Sequence, residues 1–188
     1  AAIGIAIVIA FIVMVLPSRK EQLYSTTEEE VVAGLYNPER ITAVELTYKI
    51  MEHDKSIAII DVRTDSLYNK LSIPTSVNIP YTDIMGRQWE DYLGNKTIKK
   101  IFVSQQEGDA LKSALLAEKL GFKNVAVLEG GIDQFTKRII EANTKDTEYN
   151  EDTKAYIVTA SITINDMIKN GKKTKIKPKV LTKAKGGC

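Results

Sequence analysis

Ile101-Phe-Val-Ser104-Gln-Gln-Glu107-Gly-Asp109-Ala-Leu111 is the stretch on which the reading of this chain turns. Ile101 to Val103 is a short apolar run without polar alternation, the pattern of a strand covered on both faces. The polar stretch from Ser104 to Asp109 follows at once. Ala110 to Leu120 then reads as a helix, ended by Gly121. A strand that turns through a short loop into a helix aims successive backbone N–H groups at one point, which suits an anion or an activated sulfur.

The same apolar pattern recurs on both sides of this stretch, at Ile57–Ile60 and Val125–Leu128, with a shorter run at Val77–Ile79. Helical segments alternate with these runs. Thr42-Ala-Val-Glu45 is a capping box opening a helix with Leu46, Tyr48, Ile50 and Met51, and residues 132–142 carry Ile132, Phe135, Ile139 and Ile140. The alternation predicts an α/β fold with a central parallel sheet flanked by helices. Residues 156–168 satisfy two templates. Tyr156, Val158, Ala160, Ile162 and Ile164 alternate as a strand, whereas Ile157, Ile164 and Ile168 share a helical face.

A chain of 188 residues accommodates one domain of about 100–150 residues with appendages. Its 44% hydrophobic and 27% charged content excludes a wholly disordered protein. A single cysteine excludes an intramolecular disulfide. The net charge of +2 conceals an asymmetry: eight lysines and no acidic side chain lie from Lys169 onward, leaving 18 basic against 24 acidic side chains before it. Residues 169–188 therefore read as a lysine-rich flexible tail ending Gly186-Gly187-Cys188. Lysine without arginine or interleaved aromatics argues against nucleic acid and allows contact with anionic lipid. No spacing of metal ligands is present and no cofactor is implied.

Ala1 to Leu16 is uninterrupted apolar sequence, followed by Pro17, Ser18, Arg19 and Lys20. It is read as a single-pass anchor (residues 1–17) in the cell's inner membrane, with residues 1–16 in the bilayer. The competing reading is the apolar core of a cleavable signal peptide, against which the run ends without a small-x-small site. Arg19 and Lys20 tilt the soluble part to the cytoplasmic over the periplasmic side. Residues 18–40 read as a juxtamembrane connector with a short helix, started by the capping box Thr26–Glu29 and stopped by Asn37-Pro38.

Residues 41–142, and most closely about 41–135, resemble the rhodanese-like family. The matching pieces are Ile60-Asp61-Val62-Arg63, Ile73-Pro74-Thr75-Ser76-Val77-Asn78-Ile79-Pro80, Phe102-Val103-Ser104, Gly121-Phe122-Lys123-Asn124-Val125 and Leu128-Glu129-Gly130-Gly131-Ile132, with Phe135 where tryptophan is usual. Each is weak alone, and the five occur in family order. The anchor, connector and tail, with residues 143–168 as a C-terminal extension, also resemble a group of bacterial membrane-anchored rhodanese-like proteins. The resemblance implies a sulfurtransferase architecture in which a cysteine closes the strand and carries a persulfide. That position is Ser104. Glu107 falls on the usual loop glycine and Asp109 on the usual basic residue, while Leu67, Leu71 and Ser72 replace the common glutamate, glycine and histidine.

Sulfur transfer needs a thiolate, and a serine oxygen forms no transferable persulfide. The loop Ser104, Gln105, Gln106, Glu107, Gly108, Asp109 is accordingly read as degenerate, with no catalytic residue. Glu107 and Asp109 are expected to repel anionic donors, and Asp109 to cap the following helix. His53, the only histidine, is expected at a helix end as a solvated or capping residue. Three functions remain open. The first is a membrane-tethered, inactive module that binds or positions a protein partner. The second is a sulfur relay with Cys188 as persulfide carrier. The third is an accessory subunit of a larger membrane complex.

Overall fold

The computed structural model of the protein describes residues 18–143 and 149–171. The expected membrane segment 1–17, the tail beyond Gly171 and Cys188 lie outside the described residues. Among the described residues no helix is long and apolar enough to cross a membrane.

In chain order the elements are α1 (Arg19–Val32), β1 (Glu39–Ile41), α2 (Ala43–Met51), β2 (Ile57–Asp61), α3 (Asp65–Lys70), β3 (Val77–Asn78), α4 (Glu90–Leu93), β4 (Lys99–Val103), α5 (Glu107–Lys119), β5 (Val125–Leu128), α6 (Gly131–Phe135) and α7 (Glu151–Asn170). Two 3-10 turns, Tyr81–Asp83 and Arg87–Trp89, precede α4. The five strands form one parallel sheet in the order β1-β5-β4-β2-β3. The apolar runs alternate between its two faces, as the pleat requires. Ile59, Ile101, Val103, Ala126 and Leu128 point to a core closed by α2, α6 and α7. Ile60, Phe102, Val125 and Val127 point to one closed by α4 and α5, against which Leu23, Tyr24 and Tyr36 also pack.

The connector expected before the sheet is a 14-residue helix docked on the domain. Its capping box is Ser18–Glu21, eight residues before the one expected. The Ser18 hydroxyl accepts from the Glu21 N–H at 3.2 Å and the Glu21 carboxylate accepts from the Ser18 N–H at 2.9 Å. Thr26 and Thr27 instead donate back to the Gln22 and Leu23 carbonyls (2.8 and 2.7 Å), the bond a threonine makes inside a helix. The Thr42–Glu45 box does open α2, with 2.9 and 3.2 Å bonds.

Residues 156–168, compatible with strand or helix by sequence, lie within the 20-residue helix α7, capped by Asn150. Ile157 and Ile164 are fully buried while Ile162 is 71% exposed. The helix also settles how the preceding one ends. α6 is α-helical for only five residues, then widens to a π turn over Thr136–Ile140, short of the expected 142. The Ile140 carbonyl then accepts from Ser161 Oγ (3.1 Å) and Asn165 Nδ2 (2.9 Å) of α7. The ring of Tyr156 stacks on that of Tyr48 at 3.8 Å, tying α7 to α2.

Burial along α7 gives a direct check. Ile157→Ala and Ile164→Ala are each expected to cost about 2–4 kcal/mol in denaturant unfolding, because both empty a packed site. Ile162→Ala should cost less than about 0.5 kcal/mol. Equal costs at Ile162 and Ile164 would require the strand-like face.

Candidate functional site

β4 delivers Ser104 to the carboxyl end of the sheet, where open parallel sheets place their binding crevices. The side chain is buried, with 1% of the residue exposed. Its hydroxyl accepts from the Ala110 N–H at 2.9 Å and donates to the Gln106 carbonyl. Both functions of the hydroxyl are thus committed inside the loop. This corrects the expectation for Asp109. The helix α5 begins at Glu107, before that residue, with Gln106 as N-cap and no side-chain capping bond from it. Ser104 supplies the internal acceptor near the helix start. Asp109 lies in the first turn with its side chain 67% exposed, 3.2 Å from Lys112 Nζ.

The loop is seated on the start of α6. The Ser104 carbonyl accepts from the Ile132 N–H (2.9 Å) and the Gln105 carbonyl from the Asp133 N–H (3.0 Å). Such an approach needs a residue without a side chain below it. A Cβ on Gly131 would stand 2.6 Å from the Ser104 oxygen and 2.8 Å from the Gln105 oxygen, at a backbone φ of +62°. That is why a glycine stands at position 131, against this loop.

Charged groups brace it from three sides. Arg63 and Asp61 form a buried pair with Nη2–Oδ2 at 2.7 Å and Nε–Oδ1 at 3.0 Å. The same guanidinium donates to the Leu71 carbonyl (2.6 Å) and to Gln105 Oε1 (2.8 Å). Gln105 passes the connection on, donating from Nε2 to Asp133 Oδ1 at 2.5 Å. Glu107 is drawn the other way, to Arg40 Nε at 2.6 Å, and accepts from the Gly130 N–H at 3.4 Å. The two loop carboxylates therefore have cationic partners, and the expected repulsive pair at Ser104 is replaced by one outward-facing residue and one ion-paired residue.

A cleft of about 420 Å³ opens beside the loop, lined by Gln106, Gly130, Asp133, Gln134, Lys137 and Arg138. His53 is elsewhere. It follows α2 in the left-handed region (φ 52°), and its N–H donates to the Ile50 carbonyl at 3.1 Å, the capping role expected for it. It lines a separate cavity of about 230 Å³ with Tyr68, Ser72, Thr75 and Met167. No group of ligands suited to a metal ion occurs among the described residues.

The match to known families falls on this frame. The model of the rhodanese-like domain covers residues 43–138, half of the chain.

The chain belongs to the rhodanese-like domain family.

Similar solved structures include the BH2092 protein of Bacillus halodurans (23% identity, 70% of this chain and 98% of that one, TM-score 0.48). The rhodanese-like domain of the Anabaena Alr3790 protein aligns at 23% identity over 61% of this chain and 91% of its own, with a TM-score of 0.48. The single domain sulfurtransferase RDL2 of Saccharomyces cerevisiae shares 18% identity over 55% and 92%, with a TM-score of 0.48. Among curated proteins, no sequence matches the chain.

In this rhodanese-like domain the sequence located the loop and missed two of its supports. Arg40 sits on β1, a three-residue strand too short and polar to register as one. Gln105 offered no signal, because its value lies in spanning Arg63 and Asp133, 42 and 28 residues away. Gly131 carried a signal in its glycine doublet, but not the reason for it.

The contacts at Gly131 predict a contrast between two loop glycines. Gly131→Ala should destabilise the protein by more than about 2 kcal/mol, through strain and displacement of the 104–106 backbone. At Gly108 an added Cβ meets nothing within 4 Å. Gly108→Ala should therefore be neutral or stabilising by up to about 1 kcal/mol in the same urea titration.

Proposed function

We propose that this protein is a membrane-tethered, catalytically inactive rhodanese-like module that binds a partner protein or positions it at the membrane. The observation that supports the inactive reading is the state of Ser104. The hydroxyl is buried and committed as donor and acceptor within its own loop. Activation as a nucleophile needs a base within reach. The only histidine in the sequence lies at the end of α2. An oxygen at this place also cannot hold a sulfane sulfur for transfer. The tether rests on the apolar run Ala1–Leu16, which lies outside the described residues.

What remains is a braced surface. The Gln105–Asp133 bridge, the Arg40–Glu107 pair and the cleft with Lys137 and Arg138 present fixed hydrogen-bonding groups at the carboxyl end of the sheet. Preorganised polar groups of this kind suit recognition, since little side-chain ordering remains to be done on binding. The lysine-rich tail adds a second contact, with anionic lipid.

Two measurements test the reading. The full chain in mild detergent should show no thiosulfate:cyanide sulfurtransferase activity above a heat-inactivated control. Turnover that persists in Cys188→Ser would overturn the inactive reading, and turnover lost in that variant would instead favour the sulfur relay. The second tests the burial of the site. In Ser104→Cys carrying Cys188→Ser, the new thiol should react with an aromatic disulfide at least about 100-fold more slowly in the native than in the unfolded protein, as for a group reached only by local opening. Rapid native labelling would mean that the pocket is open to a sulfur donor.

A further inference from the structure

The direction of α1 across the domain is fixed by contacts at both of its ends. Near its start, Tyr24 donates to the carbonyls of Tyr81 (3.3 Å) and Thr82 (3.2 Å), and its ring meets that of Tyr81 edge-on with centroids 5.0 Å apart. Tyr81 in turn donates its N–H to the carbonyl of Val62, just past the end of β2. Tyr24 therefore sits at the carboxyl end of the sheet, the end that carries the Ser104 loop.

Further along α1 the partners move steadily away from that end. Glu28 pairs with Lys112 at 3.2 Å, and Glu30 with Lys119 at 2.7 Å. Lys112 lies midway along α5 and Lys119 is its last residue. α5 leaves the loop and returns to the amino end of the sheet before β5, so α1 descends beside it in the same sense. The chain then enters β1, parallel to β5, from below. Thr27, between the two anchoring regions, is fully buried. The helix is thus fastened along its length, and whatever precedes its cap, Ser18, leaves from the loop end.

We infer that the domain stands with the 104–109 loop facing a lipid bilayer, and with the turns before β2 and β5 facing away from it. This rests on the proposal that Ala1–Leu16 enters a membrane, and goes beyond it by naming the surface that the membrane covers. Only Pro17 lies between the apolar run and the helix cap, so the sequence contains no linker long enough to let the domain turn over. The surface around the α1 start is also suited to the place. Tyr24 and Tyr81 are half-buried and Lys20 is exposed, with its ammonium 5.9 Å from the Tyr24 ring centroid. Tyrosine and lysine are the side chains that sit at the headgroup level. A partner that reads the loop would then approach within the membrane plane or along its surface, instead of from the bulk solvent.

The arrangement is measurable by energy transfer to the bilayer. In the full chain carrying Cys188→Ser, a donor dye is placed in turn at Thr82→Cys, Gln106→Cys, Lys55→Cys and Lys123→Cys, all exposed positions. The first two lie at the loop end, and the last two in the turns before β2 and β5. Each protein is reconstituted in phosphatidylcholine vesicles containing a headgroup-labelled acceptor lipid. A five-residue strand spans about 16 Å, so with its flanking turns the two pairs differ in height by about 20 Å. Transfer from Thr82→Cys and Gln106→Cys should be at least about twofold more efficient than from the other pair. Co-flotation of the protein with vesicles is scored in the same samples. Floating protein with equal transfer from all four sites, or with the order reversed, overturns the orientation and leaves the membrane reading intact. Protein that does not float overturns both.

Discussion

The ion pair between Asp61 and Arg63 holds the functional end of this domain together. Both side chains are buried, 1% and 5% exposed, at the point where β2 ends. Removing two charges from water is costly, and that cost is offset only when the pair is bidentate and its remaining hydrogen-bonding positions are filled. Both conditions are met. Two guanidinium nitrogens grip the carboxylate, a third N–H group reaches Gln105, and the Leu71 carbonyl takes another. Asp61 also accepts from the backbone N–H of Arg63 at 3.1 Å, and the Asn78 amide donates to the carbonyls of both residues at 2.8 Å. One guanidinium therefore registers β2, the turn after α3 and the Ser104 loop against one another. Loss of either partner would strand the other charge in the interior.

The loop that this pair supports turns from β4 into α5 with much of its hydrogen bonding met from within the protein. A strand-to-helix turn must satisfy the free N–H groups at the start of the helix. In this chain Ser104 meets part of that need with its own hydroxyl, and Glu107 meets the Gly130 N–H. Groups that would otherwise be available to an incoming anion are thus partly engaged by the protein itself. The Arg40–Glu107 pair is 36% and 24% exposed, so its contribution to stability is modest, of the order of 1 kcal/mol or less. Its structural consequence is larger, since it directs a carboxylate that sequence alone placed in the pocket.

The helices outside the family match are part of the same body. α1 closes one core through Leu23 and Tyr24, and α7 closes the other through Ile157 and Ile164. Each brings surface to a sheet face that α2, α5 and α6 cover only in part. The exposed residues Val158 and Ile162 on α7, and Val32 at the end of α1, are what remains of their outward sides.

The sequence by itself determined the layer architecture and the location of the loop. Short apolar runs such as Val125–Leu128, alternating with helical segments, have the pattern of strands buried on both faces, and the capping box at Thr42 marks its helix from local hydrogen bonds alone. The same local logic carries the proposal of an inactive loop, because sulfur transfer requires a thiolate and Ser104 offers an oxygen. Tertiary structure decided what depends on long-range company. Lys100 looks like a surface residue, yet only 1% of it is exposed in β4, its ammonium turned to the Asn95 carbonyl at 2.8 Å. Residues 156–168 satisfied both periodicities until packing against Tyr48 and Ile140 selected the helix. Asp109, Glu107 and Gln105 took their directions from Lys112, Arg40 and Arg63. A side chain's charge is written in the sequence, but its partner is chosen by which strands and helices the fold brings within about 3 Å of it.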